Sequence, residues 1–347
     1  MSRLFIVSNR LPFNVEKREG KLHFQSSLGG LATALGGFYK SRPSLWIGWP
    51  GIEREKVKGE EKAIIAKLSS ERCHPVFLSA QDVEDFYFGF CNQTIWPLFH
   101  YFPQYVEYNP DLWQAYQRVN QAFADSVIDI AQKDDIIWVH DYHFMLLPKL
   151  LRERLPKATI GFFLHTPFPS YEIYRLLPWR KQILEGLLGA DLIGFHTYDY
   201  VWHFLTSTRA LFGYEISMGQ IATADRMVKA DAFPISINYE HYAGFVQSPE
   251  VQAEVKNFRE KLGDRKVIVS VDRLDYSKGI LNRLQAFRLF LERYPEYREK
   301  VVFILVIGPS RIRVEHYAQL KKRVEEMVGT INGKYGTTGW MPIWYLY

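Results

Sequence analysis

Short apolar segments alternate with segments of helical hydrophobic spacing along nearly all of this 347-residue chain. Such alternation is typical of a mainly parallel sheet with helices on both faces, so it predicts an α/β fold. The predicted strands cover residues 4–8, 45–49, 75–78, 136–140, 160–165 and 192–195. The predicted helices cover residues 30–38, 111–131, 144–154, 180–188 and 200–211.

A second series of strands and helices begins at residue 267, after a polar segment. Because 347 residues exceed what one hydrophobic core usually organises, we predict two domains. Their predicted extents are 1–238 for the first domain, 239–266 for a connecting segment and 267–347 for the second domain. The predicted elements of the second series are a strand from 267, a helix over 280–293, a strand over 301–307, a helix over 313–330 and an apolar run over 343–347.

The second series stops on the apolar sequence "WYLY". Its three predicted strands are about half of a doubly wound sheet. We therefore expect an incomplete second domain and a chain that is a fragment of a longer protein. We also expect the last strand to have an unpaired edge or an uncovered face.

Charge and composition narrow the classes of function. The net charge is +5 with no block of Lys and Arg, so a nucleic-acid surface is not expected. The two cysteines, Cys73 and Cys91, lack the spacing of a metal or redox motif. No segment approaches the roughly 20 apolar residues of a membrane span, and no cleavable leader is recognisable. These features predict a soluble, cytoplasmic protein that binds no membrane and whose basic excess suits an anionic small molecule.

Two motifs near the N-terminus suit an anionic ligand. In "SNRLPF", Arg10 follows the first strand and its planar guanidinium matches a phosphate, although an Arg at this position is also common on surfaces. In "SSLGGLATAL", Gly29 and Gly30 precede a helix whose first N–H groups attract anions. A tight turn with close packing explains these glycines equally well, and the dinucleotide spacing G-x-G-x-x-G is absent.

Histidine and aspartate cluster at the ends of two predicted strands. The motif "WVHDYH" contains His140, Asp141 and His143, but no further cluster supplies clear ligands for a metal. We predict that Asp141 accepts hydrogen bonds from substrate hydroxyls; a buried histidine pair satisfied by the backbone is the alternative. In "FFLHTPFPS", His165 follows an apolar strand, where a neutral imidazole can contact a sugar hydroxyl.

Aromatic residues beside Gly and Pro are candidates for contact with a sugar ring. Trp49, Tyr87 and Trp96 are predicted in loops or at helix ends, and each combines a flat apolar face with a polar group. Most aromatic residues of a chain with 16% aromatic content belong to the core, so the pattern alone does not separate the two cases.

The second series supplies three candidate cations. Arg273 and Lys278 in "VDRLDYSKGI" follow a strand at its carboxyl end, where open α/β sheets bind their ligands. A solvated loop with internal Asp–Arg pairing is the alternative. Arg311 in "VIGPSRIR" follows the next strand. With Arg10, these residues would form the cationic walls of a cleft for an anionic donor and an anionic acceptor.

In this order, the motifs resemble those of the trehalose-6-phosphate synthase family of retaining glycosyltransferases. The match is collinear over essentially the whole chain, and "HDYH", "HTPFPS" and "DRLDYSKG" are its most specific parts. The resemblance implies two Rossmann-like domains that face each other across a cleft, the GT-B architecture. It implies transfer of glucose from UDP-glucose to glucose 6-phosphate with retention, forming trehalose 6-phosphate, without a metal or another cofactor.

The resemblance also implies roles for individual residues. Those implied at the glucosyl donor are Gly29, Gly30, His165, Arg273 and Lys278, with His165 at the transferred glucose and the last two at the diphosphate. Those implied at the acceptor are Arg10, Trp49, Tyr87, Trp96, Asp141 and Arg311, with Arg10 and Arg311 at the 6-phosphate. The implied catalytic residues are Asp141, His165, Arg273 and Lys278.

Other functions are compatible with the same motifs. A relative that uses glycerol 3-phosphate, of the glucosylglycerol-phosphate synthase type, would share the residues for the glucosyl donor and differ around Tyr87, Trp96 and Arg311. A non-catalytic homologue that binds a sugar phosphate and regulates a partner would follow from the absence of the C-terminal segment that holds the donor sugar in the family. A homo-oligomer is also left open.

Overall fold

The computed structural model describes residues 3–27, 30–310 and 314–347. The chain divides into two compact units, Met1–Ile237 and Asn238–Tyr347. Each contains a sheet with parallel pairing and helices, which confirms the predicted α/β fold.

The described residues form fourteen strands. Those of the first unit are β1 (Leu4–Arg10), β2 (Phe13–Arg18), β3 (Lys21–Ser26), β4 (Ser44–Trp49), β5 (Cys73–Pro75), β6 (Ile136–His140), β7 (Thr159–Phe163), β8 (Leu192–Phe195), β9 (Glu215–Ser217), β10 (Gln220–Ala222) and β11 (Met227–Ala232). Those of the second unit are β12 (Lys266–Arg273), β13 (Val301–Gly308) and β14 (Ile343–Leu346). The two main sheets have the orders β5-β4-β1-β6-β7-β8-β11-β10-β9 and β12-β13-β14, and β2 pairs with β3 in a separate hairpin.

Helices connect most of the parallel strands. Those of the first unit are α1 (Gly30–Lys40), α2 (Glu61–Ser69), α3 (Ala80–Asp82), α4 (Trp96–Phe99), α5 (Pro110–Ile130), α6 (Leu147–Arg154), α7 (Tyr171–Tyr174), α8 (Arg180–Leu187) and α9 (Tyr198–Phe212). Those of the second unit are α10 (Tyr239–Phe245), α11 (Pro249–Leu262), α12 (Ile280–Arg293) and α13 (Glu315–Tyr335). A π-helix covers Val83–Ile95, and short 3-10 helices cover Tyr142–Phe144 and Tyr276–Lys278, among others.

The long helices begin where the sequence supplies caps. At α5 the Asn109 side chain accepts from the backbone N–H of Asp111, and Pro110 occupies the first turn, where its missing N–H costs nothing. At α9 the Thr197 side chain caps the first turn, and Gly213 ends the helix with a left-handed φ of 69°. These caps satisfy backbone groups that the helix ends leave without internal partners.

The centre of the first sheet is buried on both faces. In β1 the side chains of Phe5, Ile6 and Val7 are fully buried, as expected for a parallel strand covered by helices on both sides. Because β4, β1, β6, β7 and β8 pair in parallel, their carboxyl ends meet at one edge of the sheet. The last residues of β1, β4 and β6 therefore lie at this edge; they are Arg10, Trp49 and His140.

Several elements differ from the sequence prediction. The prediction of a strand over 75–78 is wrong, since β5 covers Cys73–Pro75. Its position follows from the neighbouring strand β4, which pairs with β5 only through Trp46–Gly48 and ends at Trp49. The hairpin β2–β3 and the antiparallel strands β9 and β10 were not predicted. Residues 239–262, predicted as part of a connecting segment, form α10 and α11 and belong to the second compact unit.

The last strand, β14, lies at an edge of the second sheet, as predicted. Its first residue, Ile343, is fully buried, whereas β12 at the opposite edge exposes more apolar surface: Val269 is 62% exposed and Val271 is 68% exposed. In the part of the chain that the structure describes, no helix has the length and apolar character needed to cross a membrane.

Candidate active site at the carboxyl edge of the first sheet

Arg10 leaves β1 and lies over an aromatic ring. Its guanidinium carbon is 4.5 Å from the centroid of the Trp49 ring, a cation–π distance. The indole N–H of Trp49 donates to the carbonyl of Ile52 at 2.9 Å, which fixes the ring beneath the cation. Gly51 has a φ of 90°, and a Cβ there would lie 2.9 Å from Arg10 Nη1, so glycine leaves room for the guanidinium.

The surroundings of Arg10 favour an anionic partner. Burial lowers the pKa of Arg10 from its ordinary value, and the nearby Tyr87 and Glu53 act in the opposite direction. An arginine remains protonated under such conditions. A cation that has already lost part of its hydration attracts an incoming anion more strongly, because less water separates the two charges.

Tyr87 lies within the π-helix Val83–Ile95, not in a loop or at a helix end as predicted. π-Helical segments are rare and often occur at functional sites. The Tyr87 ring stacks on the His143 ring with a centroid distance of 5.9 Å and an interplanar angle of 11°. This contact joins the π-helix to the turn that follows β6.

Trp96 is the first residue of α4 and is only 7% exposed. Its ring lies 5.6 Å from that of Tyr142, which in turn lies 4.1 Å from the His143 ring. Trp96 therefore packs behind the Tyr87–His143 stack and supports it. Trp49, whose indole N–H is already paired with the protein, likewise serves as a support for Arg10.

Asp141 has an unusual backbone conformation for a residue other than glycine, with φ 74° and ψ 169°. Such strain persists where the surrounding structure enforces it, often at functional sites. Its N–H donates to the carbonyl of Phe163 at 2.8 Å, and its Oδ1 accepts from the N–H of His165 at 3.2 Å. Its Oδ2 lies 4.0 Å from His143 Nδ1. Asp141 is thus held between the ends of β6 and β7.

Three histidines stand at the carboxyl ends of three adjacent strands. His140 ends β6, His165 follows β7 by two residues, and His196 follows β8 directly. His140 Nδ1 and His165 Nε2 are 3.0 Å apart. Burial, and then the charge of His196, lower the pKa of His165 to about 3. Burial also lowers the pKa of His140 and of His196, so all three imidazoles are neutral at pH 7.

Contacts connect the predicted first-unit residues into one site. Tyr87 lies near enough to Arg10 to affect its pKa, and the Tyr87 ring stacks on His143. His143 borders Asp141, which is bonded to His165. A cation suited to phosphate and a carboxylate suited to hydroxyls therefore occupy the same strand edge. A neutral imidazole completes the set. This combination fits a phosphorylated sugar.

The second unit holds Arg273 and Lys278 at the carboxyl end of its first strand. Arg273 ends β12, and Lys278 ends the 3-10 helix Tyr276–Lys278; both side chains are exposed. The turn between them is fixed by Asp275, which is fully buried. Its carboxylate accepts from the N–H of Ser277 at 2.9 Å and from the Tyr317 hydroxyl at 3.2 Å.

The alternative prediction was Asp–Arg pairing inside this loop, whereas the pair that forms here has its arginine outside the loop. Asp272 pairs with Arg283 of α12 at 2.6 Å, and among the described residues neither Arg273 nor Lys278 has an ion pair. Both predicted cations therefore remain accessible to a ligand. Gly30 begins α1, whereas Gly29 and Arg311 lie outside the described residues.

Some residues of the site were not recognised in the sequence. His196 was missed although it follows β8 as His165 follows β7, and a histidine at each of three neighbouring strand ends was the available signal. Glu53, which lies near Arg10, is not marked by any comparable sequence pattern. Within the residues that the structure describes, no group of three His, Cys, Asp or Glu side chains is arranged to hold a metal ion.

A parallel α/β sheet with polar side chains at the carboxyl ends of its strands defines a ligand-binding protein of the Rossmann-like class. Residues 2–347 match the model of glycosyltransferase family 20. The chain belongs to glycosyltransferase family 20.

Similarity to a named relative is consistent with this family. The chain is 45% identical over 347 residues to alpha,alpha-trehalose-phosphate synthase (UDP-forming) A of Dictyostelium discoideum, covering 99% of this chain and 47% of that protein. The chain thus spans about half the length of this curated relative.

Solved structures are similar over the whole chain. An alpha,alpha-trehalose-phosphate synthase (UDP-forming) from Burkholderia xenovorans in complex with glucose-6-phosphate has a TM-score of 0.86 and 29% identity, covering 100% of this chain and 74% of that one. An E. coli structure described as trehalose-6-phosphate bound with UDP-2-fluoro glucose has a TM-score of 0.86 and 34% identity, covering 99% and 73%.

Proposed function

We propose that this chain transfers glucose from UDP-glucose to glucose 6-phosphate with retention, forming trehalose 6-phosphate. The observation that carries the proposal is the connected set of Arg10, Tyr87, Asp141 and His165 at one edge of the first sheet. The similar structures bound to glucose-6-phosphate and to UDP-2-fluoro glucose support the same pair of substrates.

Most of the proposed contacts to the acceptor come from the first unit. Arg10 would bind the 6-phosphate as a planar fork, with Arg311 as its partner, and Asp141 would accept hydrogen bonds from the sugar hydroxyls. Tyr87 would lie beside the sugar ring, with Trp49 and Trp96 supporting the pocket. His165 would contact the transferred glucose.

The second unit would hold the nucleotide sugar, in the region proposed as the second domain, 267–347. Arg273 and Lys278 would compensate the charge that develops on the diphosphate as the glycosidic bond breaks, where such stabilisation is most effective. The backbone of Gly29 and Gly30 would approach the same phosphates. We propose reaction on one face of the glucose, with the leaving phosphate helping to deprotonate the acceptor hydroxyl. A cytoplasmic location and a homo-oligomer stay predictions.

The test is an assay of UDP release by this chain with UDP-glucose and a panel of acceptors. We expect release with glucose 6-phosphate and little with glucose or glycerol 3-phosphate, because only the first offers both a phosphate for Arg10 and a sugar ring for Asp141. Proton NMR of the product should show the retained anomeric configuration at the transferred glucose. UDP release that favours glycerol 3-phosphate, or no release with any acceptor, would contradict the proposal.

A further inference from the structure

The three strand-end histidines, His140, His165 and His196, form a hydrogen-bonded group in which His140 is hidden from solvent. His140 is 1% exposed, and its ring lies 4.4 Å from the Trp138 ring. Its Nδ1 is 3.0 Å from His165 Nε2, whereas its Nε2 is buried without a hydrogen-bond partner. The His196 side chain bonds to the backbone carbonyl of His165. His140 thus contacts the ring of His165, and His196 contacts its main chain.

The direction of the bond between His140 and His165 follows from this burial. A neutral imidazole has one N–H donor and one acceptor nitrogen, so one ring must donate and the other must accept. If His165 donated, the proton of His140 would lie on Nε2, which has no partner. A buried N–H without a partner is rarer in proteins than a buried acceptor without one. Donation by His140 leaves only a lone pair without a partner on Nε2.

We propose that His140 is a positioning residue that donates its Nδ1–H to His165 Nε2 and so fixes His165 in the Nδ1–H tautomer. The second ring nitrogen of His165, Nδ1, is then a hydrogen-bond donor. The ligand atom that it recognises must be an acceptor, such as a hydroxyl oxygen of a sugar. This inference deepens the proposed function and rests on it for the identity of the ligand, because His165 is proposed to contact the transferred glucose.

The geometry gives His140 a role that burial alone would not. A residue needed only to fill space beside Trp138 could be replaced by another ring of similar size. A residue that sets a tautomer must supply a donor toward His165 Nε2. Hydrogen bonds to the second nitrogen commonly set the tautomer of functional histidines.

The tautomer of His165 can be measured directly in the unliganded chain. With selective ¹⁵N-histidine labelling, long-range proton–nitrogen correlation at pH 7 distinguishes protonated from unprotonated ring nitrogens among the ten histidines. His165→Gln identifies the His165 signals by their loss. We expect a protonated Nδ1 and an unprotonated Nε2 on His165. A protonated Nε2 in the unaltered chain would overturn the proposal, with no variant needed.

Two variants separate donation from packing. His140→Phe keeps a ring but removes the donor, so His165 should become a mixture of both tautomers. His140→Asn places an amide N–H near the position of Nδ1 and should retain the Nδ1–H tautomer. His74→Phe, in β5 at the far edge of the sheet, is the matched control and should change nothing at His165. An unchanged tautomer in His140→Phe would show that His140 does not set it.

Kinetics provide the second readout. In glucosyl transfer, His140→Phe should lower kcat by roughly tenfold to a hundredfold, which is the loss observed when the hydrogen-bond partner of a metal-bound histidine is removed. The KM for glucose 6-phosphate should stay within about twofold, and His140→Asn should recover much of the rate. If the chain transfers no glucose at all while the NMR result is as expected, the proposed function fails and the role of His140 toward His165 stands.

Discussion

The two units hold the residues at their strand ends in different ways. In the first unit, Asp141 and His165 are bonded to each other across two neighbouring strands, β6 and β7, whose last two residues are buried. In the second unit, Arg273 and Lys278 are exposed and follow an edge strand, β12, on which Val271 is 68% exposed. The first arrangement is fixed by packing, and the second depends on the turn around Asp275.

This contrast indicates how the two halves of the proposed reaction are organised. Strained and hydrogen-bonded residues such as Asp141 are positioned before a ligand arrives, which lowers the entropy cost of binding. A loop on a partly uncovered strand has fewer buried contacts and opens at a lower free energy. We therefore expect the first unit to be the rigid partner and the loop of Arg273 and Lys278 to be the adaptable one.

The largest expected effect is a difference in stability between two glycine-to-alanine changes. A Cβ at Gly186 in α8 would lie 2.3 Å from the carbonyl oxygen of Met145, just after the turn that contains His143. Gly186→Ala should therefore lower the free energy of unfolding of the first unit by about 3 kcal/mol or more, because backbone would have to move. Urea unfolding followed by tryptophan fluorescence measures it.

The matched control is Gly329→Ala in α13 of the second unit, where a Cβ would meet nothing within 4 Å. Alanine is the better helix former, so this change should raise stability by about 0.5–1 kcal/mol. Similar losses in both variants would mean that the first unit is not the more tightly packed of the two around this site.

The next largest effect concerns Arg10 and the acceptor. Arg10→Ala should weaken binding of glucose 6-phosphate at least tenfold, because a charge-assisted hydrogen bond contributes about 1.5–3 kcal/mol. Arg10→Lys should restore only part of it, since the planar fork is lost. Calorimetric titration gives the affinities, with Arg18→Ala on the exposed hairpin strand β2 as the control. An equal loss of affinity for glucose and for glucose 6-phosphate would count against a phosphate contact.

A smaller loss is expected for the cations of the second unit. Arg273→Ala and Lys278→Ala should each weaken UDP binding about tenfold and leave glucose 6-phosphate binding unchanged, because these two cations are proposed to contact the donor diphosphate and not the 6-phosphate of the acceptor. Arg288→Ala in α12 is a control on the same unit. If both variants bind UDP as tightly as the unaltered chain does, the assignment of the diphosphate to this loop is wrong.

A decrease in pH should lower the free energy of unfolding mainly of the first unit. The pKa of His165 is lowered to about 3, below that of an unfolded histidine, so the unfolded chain binds an extra proton between these two values. Stability is then full above about pH 6.5 and falls as the pH decreases, by about 1 kcal/mol for this residue between pH 6.5 and 5.5. The pKa of His140 is also lowered, so this residue likewise makes the stability fall as the pH decreases. Urea unfolding at both pH values checks this, and His140→Phe should reduce the difference.

The sequence predicted elements best where apolar runs have polar ends. Strands 136–140 and 192–195 and the helix 280–293 have the predicted bounds, because each hydrophobic period stops at charged or polar residues. The π-helix Val83–Ile95 could not be predicted in this way, because its wider turn is not a separate hydrophobic period. The predicted strand 75–78 failed because its extent depends on a partner strand.

For the site, the sequence predicted where the residues lie but not which contacts they make. The position of Arg10, Asp141 and His165 after parallel strands was enough to expect them at one edge. The sequence does not show that Asp141 accepts from the N–H of His165, or that His140 is bonded to the ring of the same residue. These contacts depend on sheet register and on ring orientation, which no spacing rule contains.

The smallest expected effect tests whether β12 is as uncovered in solution as in the structure. Val271 on β12 is 68% exposed, whereas Val139 on β6 is fully buried. The change of valine to threonine keeps the shape and adds a hydroxyl, so it should alter stability by no more than about 0.5 kcal/mol at Val271. At Val139 it should cost about 1–3 kcal/mol, because the hydroxyl would be buried. Urea unfolding of both variants gives the two values. A cost at Val271 as large as that at Val139 would mean that this face of β12 is covered in solution, and the proposed difference in rigidity between the two units would then lose its structural basis.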